Sequence, residues 1–289
     1  MLAQLDRRIG APLNRLLDAV TQRLAGDFKN IHEIGLRAPE EDYLALLPLG
    51  ACYILLFAFP FAPELKQLAQ LEQLPHARPH ARRQALLQGY HLLLKKHLFC
   101  APRGNRLLSK NAAFGSWLPS LMQVFPDAQM IACVREPVSA LSSQLSSVAA
   151  ARQLCATDPD GSQTETIFRE SLLHSYKTLA NFTRNSPRRQ VAALDQGALK
   201  AAPARLIQAC MDLLQIPIGH TLQQTLDALP RRHESAHAHQ ATHASKPGEP
   251  DCEFARQIAP DYTTLLQLAA QTKPTEPAIN TPLPQETTL

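Results

Sequence analysis

Glycine is scarce in this chain, 11 of 289 residues, and none stands in a G-x-x-x-x-G-K-[ST] frame. The sequence therefore holds no glycine-rich phosphate loop of that kind. The six cysteines, at 52, 100, 133, 155, 210 and 252, make no C-x-x-C pair and no regular spacing. A disulfide framework is excluded, and free thiols in a reducing cytoplasm are expected. Long apolar runs are also missing. The longest, Leu46–Ala62 (LLPLGACYILLFAFPFA), is broken by Pro48, Gly50 and Pro60 and falls short of the about 20 residues a bilayer span needs. Charge of one sign is not concentrated: 29 Lys and Arg against 25 Asp and Glu leave a net +4, too diffuse for a nucleic-acid footprint. Met1–Ala25 has the leucine and valine spacing of an amphipathic helix. It lacks a continuous apolar stretch and carries Asp6 and Asp18, which speaks against a secretory signal and a transit peptide.

What is present centres on Arg106–Ser147. Arg106–Lys110 (RLLSK) is a short apolar run ending in a cation, and it reads as a buried strand. Trp117, Leu118, Leu121, Met122 and Phe125 then recur at helical spacing until Pro126-Asp127 stops them. Gln129–Val134 (QMIACV) is apolar and partly β-branched, the pattern of a parallel strand buried on both faces. Arg135-Glu136-Pro137 closes it and opens a helix, with Pro137 in the first turn. A β-α-β-α order predicts an open parallel sheet, whose chemistry lies at the carboxyl ends of its strands. Lys110 and Arg135 end the two strands and are expected in one crevice. The first-turn N–H groups of the helix after Arg135 favour an anion, and Ser139 and Ser143 share one of its faces. A guanidinium fork, a helix start and a hydroxyl together suit a phosphate.

These residues resemble a known family. Val134-Arg135-Glu136-Pro137, with Ser143 eight residues after its Arg, is similar to the 3′-phosphate-binding strand and helix of sulfotransferases, enzymes that use 3′-phosphoadenosine 5′-phosphosulfate (PAPS). Leu107–Asn111 (LLSKN) resembles the strand ending in Lys, and Phe125–Ala128 (FPDA) the approach to the next strand. His32–Gly35 with Pro39–Asp42, and Val191–Pro217, are similar to segments of the bacterial branch. The resemblance runs over Leu13–Thr272. It implies an α/β, three-layer P-loop NTPase-like sulfotransferase fold with a short parallel sheet and many helices, built as one domain over 1–272. It also implies PAPS as cofactor, with Arg135 and Ser143 on its 3′-phosphate and Lys110 neutralising the departing oxygen. The partners implied are the nucleotide sulfate donor and a small-molecule or lipid-like acceptor carrying a hydroxyl or amine.

One departure stands out. The family's first strand and its 5′-phosphosulfate loop have no counterpart, because the chain starts only a helix before the acidic segment; Pro102–Asn105 is a turn rather than that loop. Either the start is mis-assigned or the loop has been lost, and in the second case a non-catalytic anion-binding or interaction protein remains. The His that follows the Lys in better-known members is replaced by Asn111, Ala112 and Ala113. Glu40 or Glu41 is then the candidate general base, although carboxylates in a first turn after Pro39 also serve helix stability. Leu46–Ala62 becomes a buried helix or the wall of a hydrophobic acceptor pocket.

Elsewhere, Pro75–Arg83 is a basic, proline-broken linker, Ala85–Leu98 a helix, Asp158–Gly161 a turn, and Thr166–Thr183 a helix. Cys133 and Cys210 lie in apolar patterns as small hydrophobes. The tract Arg231–His243 holds four histidines, His233, His237, His239 and His243, without cysteine or a placed Asp to complete a zinc set, and is expected to be a solvated strip. From Lys273 the Pro/Thr-rich tail is expected to be disordered.

Overall fold

Two short parallel strands form the centre of the structure, a computed structural model that describes residues 12–24, 42–53, 55–66, 79–100, 106–155, 157–229 and 252–272. Strand β1 (Met130–Val134) pairs in register with β2 (Val191–Asp195), from Met130 opposite Val191 to Val134 opposite Asp195. The Met130 N–H also donates to the Gln190 carbonyl at 2.8 Å. Parallel strands need a long crossover. Here it consists of two helices, α6 (Pro137–Cys155) and α7 (Ser162–Asn185).

The helices before the sheet are α1 (Pro12–Leu24), α2 (Leu55–Ala58), α3 (Pro63–Lys66), α4 (Pro79–Cys100) and α5 (Leu118–Val124). Two 3₁₀ segments, Asp42–Leu49 and Ala112–Trp117, lie among them. After the sheet come α8 (Gln196–Ala201), α9 (Pro203–Leu213), α10 (His220–Ala228) and α11 (Cys252–Ala270).

Alternation along the strands assigns each face a cover. Ile131, Ala192 and Leu194 pack on Leu206, Cys210 and Leu214 around α9. Val134 on the opposite face meets Leu141 of α6, Phe168, Leu172 and Tyr176 of α7, and Phe254, Ile258 and Leu265 of α11. Helices on both faces of a parallel sheet make the expected three-layer α/β arrangement. A third apolar cluster joins Leu46, Leu56, Leu86, Leu87, Tyr90, Trp117, Leu121 and Ile167. Trp117 is 1% exposed, and truncating such a buried aromatic costs about 3–5 kcal/mol.

Several expectations are corrected. Residues 106–110 pair with no strand among the described residues. Leu107 is half-buried but Leu108 is 89% exposed, and Arg106, Ser109 and Lys110 are exposed too. One apolar side chain cannot bury a strand on both faces. Pro79–Arg83 is not linker but the first turns of α4, since proline is tolerated where the helix has no N–H partner to lose. Leu46–Ala62 is no single helix; Pro48 falls in the 3₁₀ segment and Gly50 turns at φ +63°, leaving Leu47, Phe59 and Phe61 exposed while Leu46, Ala51, Cys52, Leu56 and Pro60 are buried. Cys133 is exposed, so β1 is not covered along its whole length; Cys210 is buried as expected.

Candidate active site

Both strands end at the same edge of the sheet, and each leads into a helix whose first turn is capped by an acidic side chain. Between β1 and α6 stand Arg135 and Glu136. The Glu136 carboxylate accepts from the N–H of Val138 at 2.9 Å and of Ser139 at 2.7 Å. Asp195 acts likewise for α8, accepting from the Ala198 N–H at 2.8 Å. The expectation that the start of α6 lies open to an outside anion is therefore corrected. A carboxylate of the chain itself already satisfies the orphan donors and the dipole. Burial pushes the Glu136 carboxyl up, but the Ser139 hydroxyl, the two N–H groups and the Arg135 charge outweigh it and hold the group below its ordinary value.

Arg135 is half-buried at the end of β1. Its main-chain carbonyl accepts from the Tyr176 hydroxyl of α7 at 2.5 Å, and its guanidinium has no hydrogen-bond partner among the described residues. Desolvation pushes the Tyr176 hydroxyl up to about 12, so it remains a donor. The Tyr262 ring of α11 lies obliquely against Tyr176, centroids 6.2 Å apart. Burial raises the Tyr262 phenol, and the charges of Asp195 and Glu136 add to the effect. The half-buried Ser143 follows on α6, its carbonyl accepting from the Ser147 hydroxyl at 2.7 Å.

Lys110 is exposed, and its carbonyl accepts the Asp42 N–H at 2.9 Å. Its charge also reaches β1: burial pushes the Cys133 thiol up, and Lys110 pulls against that shift. The lysine thus lies by the carboxyl-terminal half of β1, toward the α9 face that carries Cys133, whereas the Arg135 charge acts on Glu136 and Tyr176. Glu40, Glu41, Pro102–Asn105, the histidines of 233–243 and the tail from 273 lie outside the described residues.

Sequence reasoning did not find Tyr176, Tyr262, Asp195 or Asp42 as neighbours of these groups. Helical periodicity does place Tyr176 on an inward face of α7. Its partner, however, is 41 residues away, and periodicity carries no signal about that.

The sulfotransferase-family pattern matches residues 13–220. This chain belongs to the sulfotransferase family. No curated protein and no solved structure matches it. The matched span takes in Lys110, Arg135, Ser143 and both strands, and membership supports sulfuryl transfer as the general chemistry. Helix α11 lies beyond that span, yet it packs on β2, α6 and α7 and brings Tyr262 to this edge of the sulfotransferase sheet. Among the described residues no helix is long and apolar enough to cross a membrane.

Proposed function

We propose that the chain transfers a sulfuryl group from PAPS to a hydroxyl or amine on a small-molecule or lipid-like acceptor. The observation that carries this reading is Arg135: a half-buried residue at the carboxyl end of a parallel strand, its main chain held by Tyr176 and its guanidinium without a hydrogen-bond partner among the described residues. The Glu136 carboxylate feels the Arg135 charge without a hydrogen bond between the two side chains, and a phosphate matches the guanidinium fork. Ser143 adds a hydroxyl donor from α6. These residues fit the 3′-phosphate end of PAPS; the first-turn N–H groups of α6 are already taken by Glu136.

When bound, PAPS supplies the sulfuryl group. The chain's own part is positioning and charge stabilisation. Arg135 and Ser143 hold the nucleotide end, and Lys110 stabilises negative charge on the oxygen that leaves sulfur. Glu40 or Glu41, the residues immediately before Asp42, takes the acceptor's proton. Cys52, Cys133 and Cys210 are free thiols, which suits a reducing cytoplasm.

The test is calorimetry with 3′-phosphoadenosine 5′-phosphate and with adenosine 5′-phosphate. Arg135→Ala weakens the first by about 1.5–3 kcal/mol, the range for a hydrogen bond to a charged group, and leaves the second unchanged. Equal losses for both nucleotides remove Arg135 from the 3′-phosphate. A second reading, a non-catalytic anion-binding or interaction protein, is favoured by the first-turn N–H groups at this edge being taken by the chain's own carboxylates, so that neither of these helix starts can hold the phosphosulfate end of a donor. Nucleotide binding without sulfuryl transfer to any alcohol, phenol, amine or sugar decides for it.

A further inference from the structure

Asp42 grips the lysine-bearing segment at two points. Its N–H donates to the Lys110 carbonyl at 2.9 Å, and its carboxylate oxygen Oδ2 accepts from the Ser109 hydroxyl. The same oxygen accepts from the Tyr90 hydroxyl at 2.5 Å, and the two hydroxyl oxygens are 3.1 Å apart. A carboxylate and two hydroxyls, from chain positions 42, 90 and 109, therefore close one small triangle of polar groups.

Tyr90 is the rigid member. It is 2% exposed in the helical core, with edge-on contacts to Phe114 at 5.4 Å and Phe125 at 6.0 Å between centroids. Burial and the Asp42 carboxylate hold its phenol above the ordinary value, so the hydroxyl stays a donor. Ser109 and Lys110, by contrast, are exposed and lie outside any helix or strand. At the ends of the stretch, Arg106 donates to Gln129 at 2.7 Å, and the Asn111 side chain accepts from the Ala113 N–H at 3.0 Å. An extended, solvent-facing backbone samples many conformations unless something restrains it, and a catalytic ammonium displaced by even an ångström loses much of its effect.

We propose that Asp42 is a positioning residue for Lys110, transmitting the rigidity of Tyr90 through Ser109 and the Lys110 carbonyl so that the ammonium is presented in one place. The inference rests on the reading of Lys110 as the group that stabilises the leaving oxygen. It adds a role for Asp42 distinct from proton abstraction, because the Oδ2 atom is already engaged by two hydroxyl donors.

The experiment is a double-mutant cycle on the full chain with a second, activity-independent readout. Asp42→Asn lowers kcat about 10–100-fold and leaves the KM for PAPS within about twofold. In a Lys110→Met background the same substitution changes kcat by less than about twofold, as expected when one residue acts through the other. Hydrogen exchange in Asp42→Asn rises about tenfold in peptides covering 42–49 and 106–111 and is unchanged in 118–124. Tyr90→Phe, which keeps the ring against Phe114 and Phe125, moves each readout the same way by less, and it serves as the test should Asp42→Asn fail to fold. Equal kcat losses in both backgrounds, or unchanged exchange at 106–111, overturn the proposal. If Lys110→Met alone leaves turnover intact, the underlying reading of Lys110 falls and the positioning role with it; the exchange data then report the tether separately.

Discussion

The Tyr176 hydroxyl donates to the Arg135 carbonyl at 2.5 Å, which ties α7 to the residue where β1 ends. The bond fixes the backbone from which the guanidinium projects. Tyr176→Phe keeps the ring against Tyr262 and removes only the donor. It is expected to lower stability by about 1 kcal/mol, the usual net value of one such bond, and to weaken binding of 3′-phosphoadenosine 5′-phosphate more than that of adenosine 5′-phosphate. Urea denaturation and calorimetry check the two effects, and a variant that binds both nucleotides as the parent does would dissociate Tyr176 from the site.

Glu136 opposes anion binding while it caps α6. Glu136→Ala frees the N–H groups of Val138 and Ser139 and removes a negative charge beside Arg135. Loss of a cap costs about 0.5–2 kcal/mol, while affinity for 3′-phosphoadenosine 5′-phosphate rises. The pH dependence follows from the direction of the shift. A carboxyl held below its ordinary value stabilises the fold at pH above that value and loses this contribution as pH falls through the lower folded one. The stability gap between parent and variant is therefore constant near neutrality and closes in acid, which urea midpoints from pH 7 down to pH 3 measure.

Lys110→Met keeps the apolar stem and deletes the charge. If the ammonium meets charge that develops only during transfer, kcat falls about 10²–10³-fold with little change in nucleotide affinity. Because Lys110 is exposed, its melting temperature is expected to stay near the parent's. A large loss of nucleotide affinity with normal turnover would reassign the lysine to binding.

Asp158 predicts a purely structural effect away from the site. Its buried carboxylate accepts from the Thr164 N–H at 2.8 Å and the Thr164 hydroxyl at 2.6 Å, at the start of α7. Arg152 of α6 closes the turn by donating to the Asp158 and Pro159 carbonyls at 2.7 and 2.9 Å. Asp158→Ala leaves a buried donor unsatisfied and costs about 1–3 kcal/mol. Gly161 sits at φ +80°, a backbone that strains any other residue, and a Cβ there would meet the Arg152 guanidinium at 2.8 Å and press it from the carbonyls it holds; Gly161→Ala is destabilising chiefly through the backbone. Nucleotide binding measured below the melting transition is unchanged in either variant.

Sequence alone determined those features that rest on local patterns. Gln129–Val134 is a short apolar run between breakers, and such a run marks a strand wherever it meets a partner; Val191–Asp195 was legible only through the family resemblance of Val191–Pro217. Pro137 starts α6, and the turn at Asp158–Gly161 starts α7, because proline geometry and aspartate capping act within a few residues. The sulfotransferase resemblance came from the same places, Leu107–Asn111 and Val134–Ser143, where chemistry and local structure coincide. The tertiary structure alone decided what depends on distant partners. Leu107 and Leu108 look like a strand, but a strand exists only when another backbone takes up its N–H and C=O groups, and none of the described strands does so. The start of α6 looks like an anion site until Glu136 is seen to fold back on it. Asp42 reads as one more carboxylate in an acidic segment, and it becomes a clamp only because the fold carries Tyr90 and Ser109, 48 and 67 residues away, to the same oxygen.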